Sequence, residues 1–210
     1  MGQTPTRTSI VALSLVLWTG VHAVAGTTFY DDKVSFVGKL APGYYLEDFS
    51  TYPFPADLAD PVPFGPVNGY RYDLSAAGGP ASGYEYMSSV LANVSLTITF
   101  TGDPVYAVGG DFWLGDFFYE MATGALVVDL ADGAATSEAL GLTNSSSFRG
   151  FISSSPIGSV TITPFGEGQD VYATLDNLYV GGAAVLIPGA IVLGATGAGL
   201  VGWLRRRRVV

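Results

Sequence analysis

Leu96-Thr97-Ile98-Thr99-Phe100 sets an apolar residue at every second position, with threonines between. Successive side chains of a strand point to opposite faces, so this period of two places Leu96, Ile98 and Phe100 on one buried face. Upstream, Tyr70, Tyr72 and Leu74 alternate with Arg71 and Asp73 in the same way. Downstream, Val105 to Leu114 is apolar and aromatic, with Gly109-Gly110 reading as a bulge. Leu126, Val128 and Leu130 then lead to a turn signal at Asp132-Gly133. Phe148, Gly150 and Ile152 form a further strand, Val160, Ile162 and Pro164 the next, and Tyr172 to Val180 the last. Short β-branched and aromatic strands separated by turns predict an all-β protein, an antiparallel β-sandwich. About eight or nine strands fit a jelly roll as readily as an immunoglobulin-like sandwich.

Nearer the start, Phe29-Tyr30 is a short strand, and Asp31 is placed to cap one short N-terminal helix over residues 32–40. Tyr44 to Phe49 reads as a strand. The Pro-rich run from Tyr52 to Val67 reads as an irregular surface loop.

The two ends of the chain have a different character. Arg7, the apolar run Ile10 to Trp18 and the small-x-small sequence Ala23-Val24-Ala25 form the three parts of a signal peptide, with cleavage before Gly26. At the other end no charge interrupts Ala183 to Leu204, and Arg205-Arg206-Arg207-Arg208 follow directly. About 20 apolar residues span a bilayer as a helix, and a flanking Arg cluster holds its end on the cytoplasmic side. The domains expected are therefore a signal peptide at 1–25, a β-sandwich ectodomain at 26–182 and a membrane-directed tail at 183–210. Gly181 to Ala184 reads as a flexible joint between the last two.

Composition narrows the chemistry. The ectodomain carries four basic residues (Lys33, Lys39, Arg71, Arg149) and all 18 acidic ones, a balance of −14. Such a surface repels nucleic acid and anionic lipid alike. The chain has no cysteine, and its only histidine, His22, leaves with the signal peptide. That excludes Ser-His-Asp and Cys-His catalysis and removes the usual ligands of zinc and copper. Carboxylate, hydroxyl, amide and aromatic groups remain, which suit oxygen-bound calcium or sugar.

Two groups of residues carry that chemistry. Glu47, Asp48, Asp176 and Asn177 lie on the first and last long strands, which a jelly roll can make neighbours; together they would offer oxygen ligands to calcium. The alternative is that they cap strand ends or face water. Asp111, Asp116 and Glu120 flank Phe112, Trp113, Phe117, Phe118 and Tyr119. Aromatic faces cover the apolar side of a pyranose and carboxylates accept from its hydroxyls, so Asp111, Trp113, Asp116 and Tyr119 are the candidate glycan contacts. The competing reading makes these rings core residues with solvated neighbours. Paired carboxylates could also serve a glycoside hydrolase as acid and base, although no pair stands out.

The tail also carries a resemblance. Val185-Leu186-Ile187-Pro188, the Gly-rich apolar run after it and the terminal arginines resemble the PEP-CTERM sorting tail of exosortase substrates in exopolysaccharide-producing Gram-negative bacteria. Leu186 stands where that tail has its first proline, and the glutamate is absent. The alternative is an ordinary C-terminal membrane anchor. A weaker resemblance runs through the ectodomain. Glu47-Asp48-Phe49, Phe151 to Ile157, Val160-Thr161-Ile162 and Leu175-Asp176-Asn177-Leu178-Tyr179-Val180-Gly181 are similar to the secreted β-sandwich domains of PEP-CTERM proteins. The resemblance implies export and transient hold in the inner membrane by a C-terminal transmembrane helix. It further implies an exosortase-type partner acting near Ile187, Pro188 and Gly189, and Arg205, Arg206, Arg207 and Arg208 as the topology anchor. A place on the cell surface or in the matrix beside extracellular polysaccharide follows. The function expected is a non-catalytic glycan-binding or matrix-structural module, with a glycoside hydrolase as the alternative, and the charge of −14 speaks against nucleic acid.

Overall fold

The computed structural model describes residues 26–52, 56–83, 85–118, 120–131, 136–142, 147–166 and 168–184. Ala23 and Ala25, Tyr119, the Asp132-Gly133 turn and the tail residues Ile187 to Gly189 and Arg205 to Arg208 lie outside them.

The described chain is a sandwich of two antiparallel sheets with one short helix. In order it forms β1 (Thr27–Tyr30), α1 (Lys33–Val37), β2 (Tyr45–Glu47), β3 (Ala56–Asp57), β4 (Val62–Val67), β5 (Tyr70–Ala76), β6 (Pro80–Ser82) and β7 (Met87–Ser89). Then follow β8 (Leu96–Phe100), β9 (Val105–Gly115), β10 (Gly124–Ala131), β11 (Thr136–Leu142), β12 (Phe148–Ile157), β13 (Ser159–Phe165) and β14 (Tyr172–Gly181). An eight-stranded sheet has the order β1-β12-β9-β14-β7-β6-β3, with β2 also on β14; a six-stranded sheet has the order β11-β10-β13-β8-β5-β4. From β7 onward the chain passes between the sheets at every step except β10 to β11.

The alternation seen in the sequence builds the interior. Leu96 and Ile98 of β8, Leu74 of β5, Val160 and Ile162 of β13 and Leu126 and Val128 of β10 meet Val108, Phe112 and Leu114 of β9 and Leu175, Leu178 and Val180 of β14 in one core. Burying such aliphatic and aromatic side chains contributes roughly 1.5–3 kcal/mol each. The opposite face of the six-stranded sheet is polar. There Thr97 faces Thr161 and Ser95 faces Thr163 through their hydroxyls.

Several local expectations are corrected. The helix is capped by Asp32, not Asp31: its Oδ2 accepts from the Ser35 N–H at 2.7 Å, and α1 ends at Val37. The Pro-rich run is not all loop. It contains β3 and β4, and β4 is an edge strand, where proline costs no ladder hydrogen bond. Val62 and Phe64 point inward from it, and Phe64 stacks on Tyr72 with ring centres 4.7 Å apart. The joint at Gly181 to Ala184 is tied down, for Ala41 N–H donates to Gly182 C=O and Ala184 N–H to Lys39 C=O.

The bulge also moves. From Asp111 to Ala107 β9 pairs with β12 in unbroken register. The irregularity lies across the other edge, in β14 between Asp176 and Tyr179, where Asn177 takes a positive φ of 48°. Gly109 has another purpose. It faces Gly150 across the ladder, and a Cβ on either would lie 2.7 Å or 2.4 Å from the Phe36 ring. The facing glycines thus form a floor on which α1 seats Phe36, fully buried among Phe148, Tyr179, Ala107 and Leu40.

Candidate functional site

The seat of Phe36 occupies one part of the outer face of the eight-stranded sheet. Farther along the same face the described residues supply no such cover. There β7, β9 and β14 form the floor of a cleft of about 390 Å³, within the range of small-molecule sites. Trp113 of β9 and Tyr172 and Thr174 of β14 point into it, since their neighbours Phe112, Leu114, Ala173 and Leu175 belong to the core. Trp113 meets Tyr86 edge to face, with ring centres 5.5 Å apart. On the floor Ser88 Oγ contacts Thr174 Oγ1 and the Ala173 carbonyl, both at 3.3 Å. Ser89 lines the cleft too; it is 2% exposed, and its Oγ has no hydrogen-bond partner among the described residues.

One wall is a turn organised by Asp116. Its Oδ1 accepts from the Phe118 N–H at 2.7 Å and the Glu120 N–H at 2.9 Å, and its own N–H donates to the Glu120 carbonyl. A single carboxylate oxygen thereby satisfies two turn amides. The turn projects Phe117 and Phe118, 72% and 77% exposed, beside the cleft that they help to line. Opposite, Asp57 of β3 adds a second carboxylate.

The expected glycan contacts therefore divide. Trp113 and Asp116 line the cleft; Tyr119 lies outside the described residues; Asp111 sits in the adjoining row of the sheet. Phe112 is a core residue. Sequence reasoning missed Tyr86, Ser88, Ser89, Tyr172 and Thr174. The strand carrying Tyr172 and Thr174 was visible, and its alternation with Ala173 and Leu175 was the available signal. For β6 and β7 there was none, because Pro80-Ala81-Ser82 and Met87-Ser88-Ser89 lack an apolar alternation.

The four oxygen donors expected to meet around calcium separate onto two faces. Glu47 pairs opposite Leu178 and points inward, where it accepts from the Tyr45 hydroxyl at 2.5 Å and the Phe49 N–H at 3.0 Å. Burial, then the Glu47 carboxylate, pushes the Tyr45 phenol well up from its ordinary value. Asp48 is exposed and accepts from Ser50 N–H and Oγ, which holds its carboxyl below the ordinary range. Asp176 points outward and pairs across the ladder with Asp111. The Asn177 side-chain amide bridges them, donating to Asp176 Oδ2 at 2.6 Å and Asp111 Oδ2 at 3.1 Å. Lys33 Nζ lies 3.9 Å from Asp111 and over the Tyr179 ring. Asp176 is pushed up to about 6, first by burial and then by the Asp111 and Glu85 charges, against the pull of the Asn177 N–H and Lys33. Among the described residues no three acidic or histidine side chains converge as a metal site.

Comparison with protein-family models, with curated proteins and with solved structures finds no match.

Proposed function

We propose that the protein is an exported, non-catalytic glycan-binding module of the cell surface or extracellular matrix, with the aromatic cleft as its binding site. The observation that carries this reading is the placement of Trp113, Tyr86, Tyr172, Phe117 and Phe118 around a floor of hydroxyls, on a sheet face that has rings where the other sheet has threonines. Rings cover the apolar face of a pyranose, and Ser88, Thr174, Asp57 and Asp116 supply partners for its hydroxyls.

The topology supports the same reading. The orders β7-β14-β9-β12 and β8-β13-β10-β11 within the two sheets are those of a jelly roll, an architecture common among lectin domains. In this view β1 to β6 are additions at its sheet edges. The signal peptide and the PEP-CTERM-like tail bring the domain out of the cytoplasm, the tail holding it in the inner membrane until an exosortase-type enzyme acts near Pro188.

A glycan array with the full chain tests the reading, followed by an assay for reducing ends on each glycan bound. Binding without release of reducing sugar is expected. Hydrolysis that is lost on changing Asp57 or Asp116 would favour the glycoside hydrolase instead. Export is read separately, by mass spectrometry of the native protein: a mature form that retains Arg205 to Arg208 in an exosortase-bearing cell contradicts the processing step.

A further inference from the structure

Three charged or aromatic features of the outer face were candidates for a further role: the Asp111–Asp176 pair, the exposed Phe117-Phe118 turn, and the charge of the cleft itself. The pair is already served by the Asn177 amide and the Lys33 ammonium. The turn belongs to the cleft wall. The charge of the cleft carries a consequence about its ligand.

Among the described residues two ionisable groups other than tyrosine line the cleft, and both are carboxylates, Asp57 and Asp116. Asp116 commits one oxygen, Oδ1, to the turn amides, and its Oδ2 has no partner among the described residues. None of the ectodomain's four basic residues lines it. Lys33 faces Asp111 and Tyr179; Arg149 lies over Phe29 and donates to the Phe148 carbonyl. Beyond the cleft the Asp111 and Glu85 charges act together on Asp176, with Lys33 opposing them. A ligand entering here meets negative potential from both carboxylates, beside the rings of Trp113 and Tyr86. An anionic sugar is repelled by every one of these groups.

We infer that the cleft selects amino sugars whose nitrogen is free and protonated, over the N-acetylated form of the same sugar and over uronic acids. This rests on the glycan-binding reading and names its substrate class: stretches of polysaccharide that carry ammonium groups. The aromatic rings take the sugar face, and the carboxylates take the charge.

The test uses the full chain, calorimetry at about pH 5.5, where sugar amines are protonated and ordinary carboxylates remain ionised, and four probes of equal length. These are a glucosamine tetramer, an N-acetylglucosamine tetramer, a galacturonate tetramer and a lysine tetramer. The glucosamine tetramer is expected to bind about tenfold tighter than its acetylated counterpart, with no binding of the galacturonate. The preference should shrink in high salt. It should also disappear in the Asp57→Asn, Asp116→Asn double variant, in which the residue at 116 keeps an Oδ1 to hold the turn. Equal or weaker binding of the glucosamine tetramer, beside clear binding of the acetylated one, overturns the inference and leaves the glycan-binding reading standing. Failure of every sugar to bind removes that reading itself. Lysine bound as tightly as glucosamine shows that charge alone is read, and also overturns the inference.

Discussion

The outer face of the eight-stranded sheet has two halves built from the same strands. On one half the chain covers itself. α1 lowers Phe36 onto the facing glycines Gly109 and Gly150, and Phe148 and Tyr179 close around the ring. On the other half, among the described residues, Trp113, Tyr86 and Tyr172 have no helix above them and border a cleft instead. The first half spends its aromatic residues on packing. The second keeps comparable residues available, though a soluble domain gains by burying them. On the proposed reading, the difference separates rings that hold the fold together from rings that serve a ligand.

The comparison breaks most visibly at Phe36. Truncation to alanine removes a fully buried ring and leaves a cavity over the glycine floor, at a cost of about 3–5 kcal/mol in chemical unfolding. If the covered half is merely decorative, the loss will be under about 1 kcal/mol. Gly150→Ala approaches the same seat from below. Its Cβ would stand 2.4 Å from Phe36 Cδ2 and force the ring off its floor, destabilising the protein by about 1–3 kcal/mol. In a Phe36→Ala background that cost should largely vanish, because the clash is with the ring itself.

The seat also shows how far the sequence could be read. Most of the longer strands, their inward residues and the place of a short helix followed from periods of two and from an aspartate one position before the residue that caps it. The glycines were noticed, but a bulge and a floor for a ring both call for glycine, and only tertiary packing tells them apart. The prolines of β4 hid an edge strand for a similar reason, since at an edge proline conflicts with nothing. At the site, Trp113 and Asp116 were legible as an aromatic residue and a carboxylate close in sequence. The remaining cleft residues arrive from β7 and β14, and strands about 85 residues apart, such as those of Ser88 and Ala173, become neighbours only through the topology. Glu47 and Asp176 failed to meet because strand adjacency does not fix the face, and they point to opposite ones.

Between the two halves stands Asp176, and pH sharpens the comparison there. Its carboxyl is raised to about 6 in the folded protein against 3.8 for the free group, so the native state holds the proton more tightly. Stability is therefore greatest below the unfolded value and falls as pH rises from about 4 to 6, by on the order of 1 kcal/mol once solvent screening is allowed for. Asp176→Asn should flatten that slope, and unfolding followed across this range will show it. A smaller effect is expected from calcium. With Asn177 and Lys33 already on the Asp111–Asp176 pair, the melting midpoint should move by less than about 1 °C between millimolar calcium and chelator. A rise of several degrees, lost in Asp176→Asn, would mean that the ion displaces them.

The most direct measurement is the glycan affinity of Trp113→Ala, taken together with its unfolding free energy. If the open half of the sheet serves a ligand, binding of a glycan retained by the parent chain falls tenfold or more, about 1.4 kcal/mol, while stability drops by less than that removed at Phe36. Undiminished affinity, or a loss of stability equal to that of Phe36→Ala with binding intact in the folded fraction, would place Trp113 among the packing residues and contradict the division of the face.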